Sequence, residues 1–225
     1  MPSVVEHALG ERFSRLHPKV QWRFGFSAAD GVCQIGTGVM EEMSHSLAVP
    51  VPVAWILGSR RIAPSRTGLD VPFEVENYAY TDPLGRETHA TVRTFHFEGK
   101  TAEMDSTMVG SKTGSYVVDY LGAQPDLAVK TQLWVDDKGA LRFTSGAPRF
   151  LIPFAPRLPA LASARTEARE WWDDDKQHHG IEVEVKNPLL GRMFYYRGHF
   201  TAVERACADD QIPSRARTRK AVSRE

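Results

Sequence analysis

The sequence lacks the long apolar segments that membrane-spanning helices require. Its most apolar window, residues 47–58, contains two prolines and is shorter than the roughly 18 residues that a span needs. Residues 1–16 are polar and amphipathic and contain no apolar run of the kind found in secretory signals. We therefore expect no membrane span and a cytoplasmic location.

Cysteine is also scarce, and neither sign of charge is in excess. Cys33 and Cys207 are too few for a disulfide scaffold and do not form a metal-binding pair, so we expect two reduced thiols. The 28 basic and 28 acidic residues balance, which gives no support to nucleic-acid binding. Because nucleotide loops, nucleophile elbows and strong metal motifs are missing as well, we expect no cofactor and no metal.

What the sequence does contain is a repeated alternation of apolar and polar residues. The alternation is clear in residues 20–26, 32–43 and 71–76 and continues from residue 87 onward, with turns such as Asp136-Asp137-Lys138-Gly139 between segments. Roughly nine or ten strands joined by short turns favour an antiparallel meander, which must curl or close to protect its edges. We predict a mainly β fold, either a curved meander sheet or a lipocalin-like β-barrel.

Helix is predicted at the N-terminus, where residues 4–16 carry apolar side chains at helical spacing until Pro18. Residues 47–61 remain open between an edge strand and one or two helical turns, because prolines argue against a central strand. We expect one domain over residues 1–204. The basic tail, residues 205–225, has almost no large apolar residues and is predicted to be disordered. The proline-rich residues 147–161 are a candidate lid.

Glu170 is the most informative ionisable residue. If residues 165–173 form a strand, Glu170 shares a face with Ala168 and Trp172. A carboxyl among apolar neighbours has its ionised form disfavoured, so its pKa should rise toward that of a general acid. The alternative is a structural ion pair with a nearby arginine, such as Arg93 or Arg197.

Further side chains could act with Glu170 on a bound molecule. Arg93 lies among aromatic residues and could anchor a carboxylate or enolate or pair with Glu170, and Tyr196 could present its hydroxyl to the interior. Asp105 is a weaker candidate. We expect a concave apolar pocket. Its predicted lining residues are Trp22, Phe24, Phe95, Met104, Trp134, Trp172 and Phe194.

Several short motifs give the sequence a family resemblance. They are Leu9-Gly10 with Phe13, Leu16 and Pro18, then Gly36 with Gly38, Arg93-Thr94-Phe95, Ala168-Arg169-Glu170-Trp171, Pro188-Leu189-Leu190-Gly191 and Tyr196-Arg197-Gly198. With these motifs the chain resembles a bacterial family of unknown function that occurs alone and as the C-terminal domain of YndJ-type membrane proteins. Stand-alone members look like small tailoring proteins of actinobacterial polyketide pathways, some of which are β-barrel spiroacetal cyclases.

This resemblance implies a small-molecule tailoring protein, with two interpretations left open. One is a cofactor-free cyclase that closes a spiroacetal-type ring on a polyketide-like substrate in antibiotic biosynthesis, using acid–base catalysis by Glu170. The other is a carrier that binds a hydrophobic ligand without reaction. The expected partner is a hydrophobic small molecule and not a nucleic acid, and a homodimer is left open.

Overall fold

The computed structural model describes residues 1–151 and 164–217. Within these residues the chain is mainly antiparallel β. The strands are β1 (Val32–His45), β2 (Gly68–Thr81), β3 (Glu87–Phe97), β4 (Lys100–Gly110), β5 (Val117–Leu121), β6 (Leu127–Val135), β7 (Leu141–Ser145), β8 (Arg149–Phe150), β9 (Arg165–Asp173), β10 (His178–Asn187) and β11 (Gly191–Ala206).

Ten of these strands close into a barrel. Each pairs with the next along the chain from β1 to β7, the order continues through β9, β10 and β11, and β11 pairs with β1 to complete the ring. Among the described residues, the short β8 pairs only with the start of β6. The predicted β-barrel meander with a short N-terminal helix is therefore confirmed.

The pairing of β1 with β11 joins an early strand to the last one. It runs from Val32 opposite Ala206 to His45 opposite Phe194, with a bulge between Met40 and Glu42. The two strands approach closely at Gly38, where an added Cβ would lie 2.0 Å from the carbonyl oxygen of His199. Glycine at this position permits a close backbone approach.

Two short helices precede the barrel. Helix α1 (Val4–Leu9) begins at Ser3, whose hydroxyl accepts a hydrogen bond from the Glu6 backbone N–H at 3.0 Å, and a 3₁₀ helix (Gly10–Arg15) follows it. Helix α2 (Pro18–Phe24) comes next. We call residues 4–24 the N-terminal plug.

The predicted strand at residues 20–26 is wrong, because most of this segment is helix α2. Pro18 does not merely end the preceding helix. It occupies the first turn of α2, where its missing N–H leaves no helical hydrogen bond unmade. Val20 and Phe24 satisfy helical as well as alternating spacing, and both are buried. The alternation alone therefore could not distinguish the two structures.

The N-terminal plug fills one end of the barrel. Val5, Leu9 and Val20 pack against inward-facing residues of the strands, among them Met108 and Leu133. Helix α3 (Val51–Ser59) lies at the opposite end, near the ends of β1, β10 and β11, and settles the ambiguity at residues 47–61 as helix. No helix in the described part of the chain is long and apolar enough to cross a membrane.

The predicted disorder from residue 205 is wrong for residues 205–217. Strand β11 extends to Ala206, and two 3₁₀ helices follow, Asp209–Gln211 and Ser214–Ala216. Ile212 and Ala216 are buried against the outer side of the barrel. The segment also forms an ion pair between Arg215 and Glu76. Residues 218–225 lie outside the described residues, as does most of the proposed lid.

Candidate ligand-binding cavity

A cavity of about 310 Å³ lies inside the barrel, between the N-terminal plug and α3. Inward-facing residues of nearly all strands contribute to its wall, because successive residues of a strand point to opposite sides of a sheet. The wall is mostly apolar, as is typical of small-molecule sites. Its large apolar side chains include Phe24, Phe73, Phe143, Ile181, Phe194 and Phe200.

Helix α3 forms the part of the wall opposite the plug. Val53 and Leu57 line the cavity, whereas Val51 and Trp55 are 81% and 70% exposed. None of the nine residues of α3 is charged, so the helix is apolar on both its cavity side and its solvent side. Such a helix is unusual on a surface.

Arg23 and Glu170 form the polar floor of the cavity. Arg23 Nε donates to Glu170 Oε1 at 3.1 Å, and Arg23 Nη1 donates to Gln34 Oε1 at 3.0 Å. The Arg23 and Glu170 side chains are 3% and 6% exposed. Burial raises the pKa of Glu170, and the charges of Arg23 and Arg93 oppose that rise. Since Arg23 holds one of its oxygens, Glu170 serves primarily as the counterion of a buried guanidinium.

Asn77 and His89 extend this network. The Asn77 amide is oriented so that both its oxygen and its nitrogen form hydrogen bonds. Its oxygen accepts from Arg23 Nη1 and Nη2, at 2.9 and 2.8 Å, and its nitrogen donates to His89 Nε2 and Thr91 Oγ1. Burial, reinforced by the positive charges of Arg23 and Arg93, lowers the pKa of His89 to about 3. His89 is therefore neutral at physiological pH and can accept that hydrogen bond through Nε2.

A second group of polar side chains contains buried atoms without hydrogen-bond partners. It consists of Arg93 on β3, Asp119 on β5 and Tyr196 on β11, and all three line the cavity. Among the described residues, Arg93 Nε and Nη1, Asp119 Oδ1 and the Tyr196 hydroxyl find no hydrogen-bond partner. We call these three residues the polar cluster. Buried polar atoms are nearly always paired, so the cluster requires an explanation.

Asp119 is the carboxyl of the polar cluster. Burial raises its pKa to about 6, against the opposing effects of the Arg93 charge and a hydrogen bond with Ser106. A carboxyl with a pKa near neutrality can give and take a proton at physiological pH. In this respect Asp119 has the property that the sequence predicts for Glu170, and no arginine side chain among the described residues is hydrogen-bonded to it.

The structure brings several predicted site residues together. Glu170, Arg93 and Tyr196 all line the cavity, as do the predicted lining residues Phe24, Met104 and Phe194. Phe95 is fully buried and stacks on Phe73, with ring centroids 5.3 Å apart, so it supports the wall from behind.

Asp105 and three tryptophans are placed elsewhere. Asp105 is buried on the outer side of β4, where Arg61 Nη1 donates to its Oδ2 at 3.3 Å. Trp134 is 45% exposed on the barrel exterior. Trp22 and Trp172 both pack on His179, with ring centroids 6.2 and 4.9 Å from it, rather than on the cavity. Asp105 points away from the cavity because adjacent residues of a strand face opposite sides of the sheet and its neighbour Met104 faces inward.

Sequence reasoning missed Arg23 and Asp119. In a strand over residues 20–26, Arg23 would lie on the polar face. It points inward because this segment is helix α2. The sequence contains a signal for Asp119, because it shares a strand face with Val117 and Leu121 in an otherwise apolar segment. A carboxyl at that position of a strand has the same signal that identified Glu170.

The fold and the cavity define a β-barrel protein with a largely apolar internal cavity and a buried polar cluster. The chain belongs to the family described as domain of unknown function DUF4166, whose model matches residues 16–200. It is 29% identical over 210 residues to the uncharacterized protein YndH of Bacillus subtilis (strain 168), covering 91% of this chain and 99% of that protein. No solved structure matches it.

Proposed function

We propose that the barrel binds a hydrophobic small molecule in its cavity and positions it against the polar cluster. The observation that supports this function is the contrast between a largely apolar wall and polar atoms of Arg93, Asp119 and Tyr196 that lack partners. A buried polar atom without a partner costs about 1–3 kcal/mol. A ligand with a matching polar group would recover that free energy while its apolar body fills the cavity.

Decanol is a suitable probe for the apolar part of this proposal, and its binding can be measured by titration calorimetry. The variant Ala168→Phe places a larger side chain on the cavity wall and should abolish binding. Glu167→Phe is the matched control, because Glu167 is the exposed neighbour on the same strand, and it should bind decanol as the unmodified protein does. Equal binding by both variants, or no binding by the unmodified protein, would argue against a ligand cavity.

A second proposed function is ring closure without a cofactor, and Asp119 is the observation that favours it. In spiroacetal formation, Asp119 would protonate the hydroxyl group of a cyclic hemiketal, and this hydroxyl would leave as water. The second hydroxyl of the substrate would then attack the resulting oxocarbenium carbon and return its proton to Asp119. Such acid catalysis typically contributes about 10²–10⁴-fold. The non-catalytic carrier needs the same cavity without this step.

Deletion of the gene in its own organism distinguishes the two functions. A cyclase predicts that the deletion strain accumulates an unclosed dihydroxyketone, and that a copy carrying Asp119→Asn does not restore the closed product. The unchanged gene serves as the positive control for restoration. A deletion strain whose metabolites keep their ring systems would rule out the cyclase and leave the carrier.

A further inference from the structure

We infer that the ligand of this cavity carries a carboxylate, or an equivalent acidic oxygen group, which Arg93 and Tyr196 bind together. This inference rests on the proposed binding function and adds the chemical class of the ligand. Two considerations support it: the hydrogen-bonding balance of the polar cluster and the charge balance of the buried ionisable groups.

The polar cluster offers mainly hydrogen-bond donors. Arg93 Nε–H, Arg93 Nη1–H and the Tyr196 hydroxyl are unpaired, and Asp119 Oδ1 is the one unpaired acceptor among them. Three donors require an oxygen-rich acceptor. A carboxylate has two oxygens with about four acceptor sites, so it can accept one hydrogen bond from the Arg93 guanidinium, one from the Tyr196 hydroxyl and still accept a third. An alcohol or an amine offers fewer acceptor sites.

The charge balance of the cavity also favours an anion. Arg23 is paired with Glu170 at 3.1 Å, whereas Arg93 forms no ion pair within 4.0 Å among the described residues. The carboxyl side chains that act on Arg93 electrostatically are Asp119, Glu170 and Asp105. Glu170 is already engaged by Arg23, and Asp105 by Arg61. An unpaired guanidinium in an apolar wall is unfavourable, and a ligand anion would neutralise it.

Asp119 is compatible with a bound anion because it can become neutral. Its charged or titratable neighbours are Arg93 on β3 and Tyr196 on β11, and Ser106 on β4 is a hydrogen-bonding neighbour. A second negative charge beside Asp119 would favour its protonated form. Protonated Asp119 has an O–H donor of its own, so it would become another hydrogen-bonding group for the ligand instead of repelling it.

Paired probes of equal chain length test the inference. Decanoate and decanol share one apolar body and differ in the head group, so the ratio of their dissociation constants reports the carboxylate alone. In the unmodified protein we expect decanoate to bind roughly tenfold to a hundredfold more tightly than decanol, the usual effect of hydrogen bonds to a charged group. Titration calorimetry at neutral pH gives both constants.

Variants then assign that preference to individual residues. Arg93→Met should abolish the decanoate preference while decanol still binds, and Tyr196→Phe should reduce it. Asp119→Asn should keep or increase it, because it removes a negative charge. Arg197→Met is the matched control, since Arg197 is 49% exposed on the strand that carries Tyr196, and it should leave both constants unchanged. Melting temperatures establish that each variant is folded.

The outcomes separate this inference from the proposed function. If decanol and decanoate bind the unmodified protein equally, the cavity binds hydrophobic molecules but the carboxylate inference is wrong. A decanoate preference that survives in folded Arg93→Met protein would also overturn it. If neither probe binds, the proposed function fails first.

Discussion

Arg23 and Glu170 lie 147 residues apart in the chain and form an ion pair inside the barrel, with 3.1 Å between Arg23 Nε and Glu170 Oε1. The pair joins helix α2 of the N-terminal plug to strand β9. Because both side chains are almost completely buried, neither charge can be solvated by water if the other is removed. The position of the plug and the electrostatics of the cavity floor therefore depend on the same contact.

Glu170→Gln should lower the free energy of unfolding by about 3–5 kcal/mol, because it leaves the Arg23 charge buried without its counterion. Glu167→Gln is the control, since Glu167 is exposed on the same strand and should change stability little. Urea unfolding measures both. In the double variant Arg23→Met/Glu170→Met, which has no buried charge left at this site, part of the lost stability should return. A Glu170→Gln protein as stable as the parent would show that the ion pair contributes nothing.

The raised pKa of Asp119 predicts that the stability of the protein depends on pH. Its pKa rises from the ordinary value of 3.8 to about 6 in the folded protein, so the folded state binds more protons between these values, and stability falls as pH increases through this window. The loss of stability caused by ionised Asp119 reaches up to about 3 kcal/mol above pH 6. It vanishes below the pKa that Asp119 has in the unfolded chain.

Asp119→Asn should therefore stabilise the protein at pH 8 and have little effect at about pH 3.5. Thermal unfolding of the variant and its parent at several pH values gives the difference. Asp137→Asn, at an exposed turn, provides the control and should show no such pH-dependent difference. A constant difference between Asp119→Asn and parent across the range would contradict the assignment.

Tyr196→Phe should leave stability unchanged or raise it by about 1 kcal/mol. The Tyr196 side chain is fully buried, but its hydroxyl has no hydrogen-bond partner among the described residues, and removing an unpaired polar atom removes its desolvation cost. Tyr195→Phe is an informative comparison, because the Tyr195 hydroxyl donates to Glu182 Oε1 at 2.9 Å. Thermal unfolding that shows a larger loss for Tyr196→Phe than for Tyr195→Phe would mean that Tyr196 has a partner.

Gly38→Ala should destabilise the seam between β1 and β11. The added Cβ would lie 2.0 Å from the His199 carbonyl oxygen and 2.5 Å from the Phe200 Cα, so the strands must separate, and a loss of roughly 1–3 kcal/mol is expected for overpacking. Gly146→Ala is the matched control, because its nearest atom is 3.8 Å from the built Cβ. Denaturant unfolding of the two variants tests the difference, and equal stabilities would show that the seam can relax.

The barrel was predictable from sequence because period-two alternation and short turns persist along most of the chain. The inward orientation of Glu170 followed from the same alternation. The identity of its partner did not, because Arg23 faces inward only when residues 18–24 form a helix, and four alternating apolar residues fit either structure. The outward position of Trp134 is encoded by the alternation of β6, in which its neighbours Leu133 and Val135 are the buried residues. The ordered segment after residue 205 depends on tertiary contacts, which local patterns do not encode.

The long pairing of β1 with β11 has a consequence for synthesis of the protein. Val32 lies opposite Ala206 and His45 opposite Phe194, so the ring can close only after almost the whole described chain has left the ribosome. Until then β1 presents an unpaired edge to other nascent chains, which is a risk for aggregation. Because contacts between residues so distant in sequence slow folding, we expect closure to be the late, rate-limiting step and to be sensitive to chaperones that cover exposed strand edges.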